Sequence, residues 1–380
     1  MLTDPLAVLP PDPLFALFQE FLADPRPEKV NLGIGVYAAP DGKPFVFPSV
    51  REAARALDFA NFNYDPIGGN PKFLALARKT LFGDAAEKFE LAAQQTCGGT
   101  HALAVFAELA KILNLQQIAW GSPTWPNHNG IFADLEIIEF PHLSDGRASL
   151  ANYEQTIDAL APKGILLLHG GPTHNPTGFN LPVDELGKLA GKINAKEIFV
   201  FVDFAYLGLG DGLDADREFA IALLEKIENI AFGLSFSKNA SMYKQRLGAL
   251  FVKSGVARAI ESNLQKIIRR TVSNLPGFGA EVMARVLGEN ESGWRADLEN
   301  ARRDIDARRN GLLDKLPPRF ADLKNGRGLF GLLGLEKSEV EKLKNDFAIY
   351  LPGSARINFG GIQTAQIDRI AEAITAVAGN

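Results

Sequence analysis

The chain has 380 residues, of which 46% are hydrophobic and 22% are charged. This length predicts about two domains, and the composition is that of an ordinary globular protein, not of a disordered or fibrous one. A formal net charge of −5 gives no reason to expect nucleic acid as a partner. No apolar run approaches the roughly 18 residues that a membrane span requires, so we expect no membrane segment.

The cysteine content and the amino-terminal residues indicate in which cellular compartment the protein is expected. The sequence contains one cysteine, Cys97, so an intrachain disulfide is impossible. A single cysteine fits a reducing compartment. The amino terminus, Met1 to Pro5, lacks the basic start and the long apolar stretch of a secretory signal. We therefore expect a cytoplasmic protein.

The first forty residues are rich in proline, and residues 12–23 carry the apolar spacing of a short helix. Such a segment is typical of an arm that packs on another part of the molecule. From about residue 95, short apolar runs alternate with helical periodicity of the kind seen in residues 102–113 and 181–193. The runs that predict buried strands are Gln117 to Trp120, Glu136 to Phe140, Ile165 to His169, Ile198 to Val202, Ile230 to Leu234 and Ala249 to Val252. This alternation predicts an α/β fold with a mostly parallel sheet and helices on both faces.

The carboxy-terminal part has a different pattern. A charged helix is predicted from about Gly293 to Lys315, a glycine-containing mixed segment follows, and a closing helix is predicted from about Thr364 to Val377. We interpret this part as a smaller α+β domain. The predicted organisation is an arm with part of the small domain in residues 1–38, a large domain in residues 39–292, and the small carboxy-terminal domain in residues 293–380.

Two ionisable residues follow the ends of predicted strands. Asp203 follows the run that ends at Val202, and a carboxylate in such apolar surroundings needs a partner. That partner is either a helix amide or the protonated nitrogen of a pyridine ring. Lys238 follows the run that ends at Leu234, and an amine held out of water beside cations has a lowered pKa and can form a Schiff base. A solvated surface lysine is the ordinary alternative.

Phosphate-binding groups surround Lys238 in the sequence. Ser235 and Ser237 flank it, and Arg246 lies eight residues further on, where a guanidinium can grip a phosphate with two hydrogen bonds. Further upstream, Gly98, Gly99 and Thr100 precede a predicted helix, whose free amides favour an anion unless the segment is only a capped turn.

Two further residues complete the pattern. Asn175 follows another predicted strand, either in an ordinary Asn-Pro turn or as a ligand-binding amide. Tyr206 lies three residues after Asp203 and supplies a phenol. An amine, an acid, hydroxyls and a guanidinium are the groups that hold a phosphorylated aldehyde. They indicate pyridoxal 5′-phosphate as the cofactor, and no metal is expected.

The sequence resembles the aspartate and aromatic amino acid aminotransferase family, a branch of the fold-type I pyridoxal phosphate enzymes. The matching blocks follow the family's order along the chain. They are Asn31 to Tyr37, Asn63-Tyr64, Gly98 to Thr100, Pro123 to His128, His174 to Gly178, Asp203 to Tyr206, Ser235 to Asn239 with Arg246, Arg269 with Ser273-Asn274, and Ser354 to Asn358.

The resemblance implies a role for each residue. Lys238 would bind the cofactor covalently and move the proton, Asp203 would pair with the pyridine nitrogen, and Asn175 and Tyr206 would bond the ring oxygen. Trp125 would stack on the ring, with His128 and His169 behind Asp203. The phosphate would be held by Gly98, Gly99, Thr100, Ser235, Ser237, Arg246 and, from a neighbouring subunit, Tyr64. The substrate would be bound by Gly35, Trp125, Asn175, Arg356 and, again from the neighbour, Arg269, with Arg270 as the adjacent alternative.

The implied activity is transfer of an amino group from an amino acid to 2-oxoglutarate by a ping-pong mechanism in a homodimer. Aspartate is the expected donor, and tyrosine or phenylalanine is the alternative. A lyase or decarboxylase on the same fold and a non-catalytic cofactor-binding module are more remote alternatives. Leu275, His101 and Ala355 depart from the family pattern, which leaves substrate choice more open than the chemistry.

Overall fold

A computed structural model describes residues 7–43, 45–58 and 63–379. Its α-helices are α1 Pro13–Ala23, α2 Pro48–Arg55, α3 Pro71–Phe82, α4 Gly99–Ile112, α5 Asn127–Ile131, α6 Leu150–Ala159, α7 Val183–Ala195, α8 Leu213–Lys226, α9 Ala257–Thr271, α10 Phe278–Glu289, α11 Glu291–Leu313, α12 Lys337–Phe347 and α13 Ile367–Ala378. Its strands are β1 Val30–Asn31, β2 Leu91–Thr96, β3 Gln117–Ser122, β4 Glu136–Pro141, β5 Leu143–Ser144, β6 Arg147–Ala148, β7 Ile165–His169, β8 Phe199–Phe204, β9 Ile230–Ser235, β10 Gly248–Lys253, β11 Phe330–Leu332, β12 Ile349–Tyr350 and β13 Arg356–Asn358. Short 3₁₀ segments cover Gly83–Lys88, Pro318–Asn325, Phe359–Gly361 and Thr364–Gln366.

The main sheet has seven strands in the order β2-β10-β9-β8-β7-β3-β4. Four neighbouring pairs from β9 to β4 are parallel, whereas β10 runs antiparallel to both β2 and β9. This mixed, mostly parallel sheet confirms the predicted α/β class. The predicted strand that ended at Val202 extends through Asp203 to Phe204, and the predicted charged helix corresponds to α11.

The apolar strands are explained by burial on both faces. Every residue of β7, β8 and β9 is buried, so these strands read as continuous apolar runs instead of alternating ones. On one face, Phe106 of α4 and Leu264 of α9 belong to the core. On the other face, Leu81 of α3, Leu189 of α7 and Leu223 of α8 do so. Helices therefore cover both faces of the sheet, so a ligand can reach it at the ends of its strands.

Two small sheets connect distant parts of the chain. Strand β1, near the amino terminus, pairs in parallel with β12, and β11 pairs with β13 in antiparallel register. The loop that follows β1 accepts a hydrogen bond from Asn358 of β13, whose amide lies 2.6 Å from the Ile34 carbonyl oxygen. None of the helices in the described part of the chain is both long and apolar enough to cross a bilayer.

Candidate active site

The carboxyl ends of the parallel strands meet at one edge of the main sheet. Because β2, β3, β7, β8 and β9 run in the same direction, the segments that follow them converge there. A cavity of about 240 Å³ opens at this edge. It is lined by Leu14, Phe15, Gly35, Gly99, Thr100, Trp125, His169, Asn175, Asp203, Ala205, Tyr206, Ser235, Ser237, Lys238, Arg246, Phe330 and Arg356. Among the residues predicted for the site, Gly98, Tyr64 and Arg269 do not line the cavity.

Lys238 projects into this cavity from the segment after β9. Burial lowers the pKa of its amine from an ordinary value of 10.5 to about 8, because the charged form loses hydration. The cations Arg246 and Arg356 lower it further, and the carboxylate of Asp203 opposes them. Its Nζ lies 5.3 Å from the centroid of the Tyr206 ring. A large fraction of this amine is therefore neutral near pH 8, as a nucleophile or base requires.

Asp203, near the end of β8, is a buried carboxylate with one free oxygen. His169 Nδ1 lies 2.9 Å from Oδ2, and His128 Nε2 lies 3.7 Å from the same oxygen. Burial raises the pKa of this carboxyl, but the two imidazoles lower it more, so the pKa lies well below the ordinary range. Oδ1 is buried and has no hydrogen-bond partner among the described residues. A cationic N–H, such as that of a pyridinium ring, fits this position.

The same three side chains also have the atom types of metal ligands. The ligand atoms of His128, His169 and Asp203 all lie within 4.8 Å of one another. His128 Nδ1 meets the hydroxyl of Thr124 at 3.0 Å, which orients the ring. The expectation of no metal stays a prediction.

The phosphate-binding groups lie where α4 begins. Gly98 precedes the helix with φ +80° and provides no side-chain cap, so the first amides of the helix remain available to an anion. A Cβ on Gly98 would lie 2.8 Å from Arg246 Nη2, which shows how closely the guanidinium approaches this turn. Arg246 also donates to the Ser237 hydroxyl over 3.3 Å. Helix amides, a hydroxyl and a guanidinium therefore face one point, which suits a dianionic phosphate.

Arg356 also lines the cavity, at the start of β13. It donates to Asn175 Oδ1 over 3.0 Å and to the Gly33 carbonyl over 2.6 Å, and its guanidinium lies 4.4 Å from the centroid of the Phe330 ring. Its Nε is buried without a partner among the described residues. Burial lowers its pKa. The guanidinium is thus held in one orientation, with capacity left for a carboxylate.

Asn175 and Gly35 complete the immediate surroundings of Arg356. The amide of Asn175 donates to the Tyr206 hydroxyl over 3.2 Å, so one side chain links the arginine to the phenol. A Cβ on Gly35 would lie 2.7 Å from Phe330 Cζ, so a glycine is needed for the ring to take its place. Burial raises the pKa of Tyr206, which keeps its hydroxyl protonated at neutral pH.

Two predicted site residues lie on the surface of the single chain. The Tyr64 side chain is 90% exposed. Arg269, in the last turn of α9, donates to the Ser273 hydroxyl over 2.7 Å. Its neighbour Arg270 forms an ion pair with Glu108 of the same chain at 2.5 Å. This pairing leaves Arg269 as the freer of the two guanidinium groups, and the assignment of Tyr64 and Arg269 to a neighbouring subunit's site stays a prediction.

Several lining residues were not predicted from the sequence. Leu14 and Phe15 reach the cavity from α1, and Phe330 reaches it from β11. The glycines around Phe330 were the one signal that could have indicated a close approach there, whereas nothing in α1 distinguishes Leu14 and Phe15 from other apolar helix residues. The family departure at Ala355 also has a visible consequence: its φ is +56°, a conformation that favours glycine.

The chain is similar to known proteins of one family. The sequence matches the family described as aminotransferase class I and II over residues 27–374. It is 33% identical to the aromatic-amino-acid aminotransferase of Pseudomonas aeruginosa, covering 98% of both chains, and 32% identical to the aspartate aminotransferase of Escherichia coli, covering 98% of this chain and 99% of that protein. The fold superimposes with a TM-score of 0.94 on a crystal structure of an aromatic-amino-acid aminotransferase from Burkholderia pseudomallei that is covalently bound to pyridoxal phosphate, at 30% identity and full coverage of both chains.

The fold and its structural neighbours define a fold-type I enzyme, and the predicted cofactor, pyridoxal 5′-phosphate, is confirmed. The chain belongs to the class I and II aminotransferase family, and the predicted family and enzyme class are confirmed. The relatives include both aspartate and aromatic-amino-acid aminotransferases, so they confirm the reaction class and not the individual substrate.

Proposed function

We propose that the protein transfers the amino group of aspartate to 2-oxoglutarate by a ping-pong mechanism, with pyridoxal 5′-phosphate as its cofactor. The observation that carries this proposal is the convergence of Lys238, Asp203 and Arg356 on one cavity. An amine with a lowered pKa, a buried anion and a fixed guanidinium together meet the needs of an amino acid substrate and a cationic ring.

The residues of the cavity fit pyridoxal phosphate. The free Oδ1 of Asp203 suits the ring nitrogen, the start of α4 with Arg246 suits the phosphate, and Lys238 suits the aldehyde. The cofactor supplies an electron-withdrawing ring that stabilises negative charge at the substrate Cα. Asp203 keeps its charge through His169, and that charge is what holds the ring nitrogen protonated.

Two side chains act on the substrate itself. Arg356 binds the α-carboxylate and fixes the orientation of the Cα–H bond, because Asn175 and Gly33 hold the guanidinium in place. The neutral Nζ of Lys238 accepts the proton from Cα and later returns it, since burial lowers its pKa to about 8 and so favours the neutral amine. Trp125 and Phe330 line the cavity and exclude water from the reacting atoms.

The covalent role of Lys238 is tested by trapping. Reduction of the cofactor-loaded protein with borohydride should leave a stable cofactor adduct on the peptide that contains Lys238, detected by mass spectrometry. The Lys238→Ala variant should still bind cofactor but lose this adduct and nearly all turnover. An unmodified Lys238 in the loaded wild-type protein would overturn the assignment.

The donor preference depends on a distal cation. We infer that the protein is a homodimer in which Arg269 of one subunit meets the distal carboxylate of aspartate in the other subunit's cavity. The exposed positions of Tyr64 and Arg269 support this arrangement. Arg269 rather than Arg270 is favoured, because Glu108 already pairs with Arg270.

Aromatic amino acids are the second candidate donors. The apolar side chains of Leu14, Phe15 and Phe330 line the same cavity and would favour a tyrosine or phenylalanine ring. Single-turnover absorbance changes with aspartate, phenylalanine and tyrosine, followed by regeneration with 2-oxoglutarate, separate the two candidates. A faster turnover with phenylalanine than with aspartate would make the aromatic activity the main one.

The organisation of the chain and its compartment complete the proposal. We place the arm and part of the small domain in residues 1–38, the large cofactor-binding domain in residues 39–292 and the small domain in residues 293–380. The pairing of β1 with β12 supports the first assignment, although residues 1–6 of the arm lie outside the described part of the chain. The single cysteine supports a cytoplasmic location.

A further inference from the structure

Four of the chain's five histidines form one buried array behind the cavity. The His128 and His169 rings are 4.6 Å apart, and those of His169 and His174 are 5.9 Å apart. The array ends in a close stack, in which the rings of His142 and His174 lie 3.9 Å apart with an interplanar angle of 22°. His142 is not among the residues that line the cavity, and the mechanism above gives it no part.

The ring of His142 is fixed in a single tautomer. Its Nε2 lies 2.8 Å from the carbonyl oxygen of Phe179, which can only accept, so Nε2 carries the proton. Its Nδ1 therefore accepts from the hydroxyl of Tyr153, which lies 3.0 Å away. Gly121 leaves room for this ring, since a Cβ there would lie 2.9 Å from His142 Cβ. Both ring nitrogens are satisfied, and the ring has one orientation.

The stacked partner belongs to the loop that carries Asn175. His174 is the residue before Asn175, and its Nδ1 lies 2.9 Å from the Thr177 hydroxyl. Asn175 in turn links Arg356, over 3.0 Å, with Tyr206, over 3.2 Å. The position of the His174 ring therefore constrains the amide that orients the carboxylate-binding guanidinium.

We propose that His142 is a positioning residue for substrate binding: its hydrogen-bonded ring is the platform on which His174 stacks, and this stack sets the position of Asn175 and, through it, of Arg356. The proposal rests on the proposed function of Arg356 as the carboxylate-binding group. His142 makes no contact with substrate, and its effect is transmitted by the loop of residues 170–178.

Two variants distinguish the contribution of the His142 ring from that of its hydrogen bonds. His142→Phe keeps a flat ring but loses both hydrogen bonds, and Tyr153→Phe removes only the hydroxyl that donates to Nδ1. In cofactor-loaded protein, His142→Phe should raise KM for the amino acid donor about tenfold while kcat changes by less than about threefold, with a smaller change in the same direction for Tyr153→Phe. A fall in kcat with an unchanged KM would overturn the proposal.

A second measurement needs neither cofactor nor turnover. Hydrogen exchange of the cofactor-free protein reports on the loop through the Gly178 amide, which donates to the His174 carbonyl over 2.7 Å. His142→Phe should accelerate exchange in residues 170–178 and leave β8 unchanged. Unchanged exchange in that loop would overturn the proposal even if the proposed reaction is correct, and absence of any transamination by the wild type would overturn only the proposed function.

A double-mutant cycle tests whether His142 acts through Asn175. His142→Phe combined with Asn175→Ala should raise KM no further than Asn175→Ala alone, because the transmitting side chain is already gone. Additive losses would contradict the proposed route. Phe140→Leu is the matched control, since Phe140 packs on the Tyr153 ring, with centroids 4.8 Å apart, but makes no hydrogen bond to His142, and it should leave KM unchanged.

Discussion

Asp203 and Lys238 both line the cavity, and their surroundings favour the charged form of the acid but the neutral form of the amine. Asp203 is buried, yet His169 and His128 keep it ionised. The amine of Lys238 is buried, and no carboxylate of the described residues forms an ion pair with it. Its pKa therefore falls to about 8. Each residue is thereby held in the protonation state that its proposed role requires.

Replacing Asp203 by Asn should separate chemistry from binding. The amide keeps the shape of the side chain but removes the negative charge that, in the proposed function, holds the cofactor's ring nitrogen protonated. Turnover should fall roughly 100-fold or more, while substrate KM changes only a few-fold. Steady-state kinetics with Asp214→Asn as a surface control measures this difference. Equal losses in kcat and affinity would show that the carboxylate is only structural.

The lowered pKa of Lys238 also predicts how the stability of the cofactor-free protein depends on pH. Between pH 8 and pH 10.5 the unfolded chain retains a proton that the folded amine has already lost, so the free energy of unfolding rises with pH across this window. Below pH 8 the folded protein bears the full free-energy cost of burying the protonated amine, which is about 3 kcal/mol.

Denaturant unfolding at pH 8 and pH 10 measures that dependence. Lys238→Met should reduce the increase in the free energy of unfolding between these two pH values and stabilise the cofactor-free protein at pH 8. Lys244→Met, at an exposed lysine, should leave that increase unchanged. A Lys238→Met variant with the wild-type pH dependence would contradict the assignment.

At the scale of elements, the turn between β8 and α8 is held by a buried carboxylate. Asp216, in the first turn of α8, accepts from the backbone amides of Gly208, Gly210 and Asp211 at 2.7, 3.0 and 3.0 Å. Burial raises the pKa of this carboxyl to about 7, although the amides act against the shift. This turn follows directly after Tyr206, so its shape sets where the phenol lies.

Asp216→Ala should therefore be strongly destabilising. It leaves three amides without their partner, two of them buried, and should lower the free energy of unfolding by about 3 kcal/mol or more. The matched control is Asp214→Ala on the same helix turn, whose side chain is 76% exposed and pairs with Arg295; it should cost less than about 1 kcal/mol. Similar losses of thermal stability in the two variants would be inconsistent with this role.

The sequence predicts elements better than it predicts their arrangement. The apolar runs of β7 to β9 mark strands because both of their faces are buried. The same runs carry no information about direction, so the antiparallel course of β10 was not predicted. Reactive residues such as Asp203 and Lys238 could be identified because buried charge is rare and follows strand ends.

Residues without a chemical signature could not be identified in the same way. Phe330 and Phe15 line the cavity because distant segments pack together. Glycines flank Phe330, but the sequence around Phe15 resembles that of any apolar helix. His142 was also not identified, since its proposed role depends on a stack with a residue 32 positions later in the chain. Such contacts are properties of tertiary packing, which local patterns do not encode.

At the scale of the whole molecule, the proposed homodimer would complete a substrate site to which one subunit contributes only part of the residues. Arg356, the guanidinium proposed for the α-carboxylate, lines the cavity, whereas Arg269, the residue proposed for the distal carboxylate, lies on the surface of α9. A shared site follows if two subunits place Arg269 of one beside the cavity of the other.

The Arg269→Ala variant tests the distal contact. Loss of the cation should lower kcat/KM for aspartate roughly 50-fold or more, while phenylalanine, which has no distal charge, should change only a few-fold. Arg270→Ala, which breaks the ion pair with Glu108, is the matched control and should affect both donors little. An equal loss for the two donors would mean that Arg269 only maintains structure.

Subunit mixing tests whether the contact crosses the dimer. Lys238→Ala and Arg269→Ala should each be nearly inactive toward aspartate alone. A statistical mixture should recover about a quarter of wild-type activity, because one of the two sites in each mixed dimer takes Lys238 and Arg269 from intact copies. No recovery in mixtures shown to contain mixed dimers would contradict a shared site.

The reversed course of β10 has a consequence for how this chain can vary. Because β10 is antiparallel to β9, it begins at the edge of the sheet where β9 ends. The short connection of residues 236–247 therefore stays at that edge and holds both Lys238 and Arg246 there. Inserting or deleting even one residue in that connection would change the spacing between guanidinium and amine, whereas the β5–β6 hairpin could lengthen without disturbing either. Loop length, and not only residue identity, is therefore under constraint in this segment.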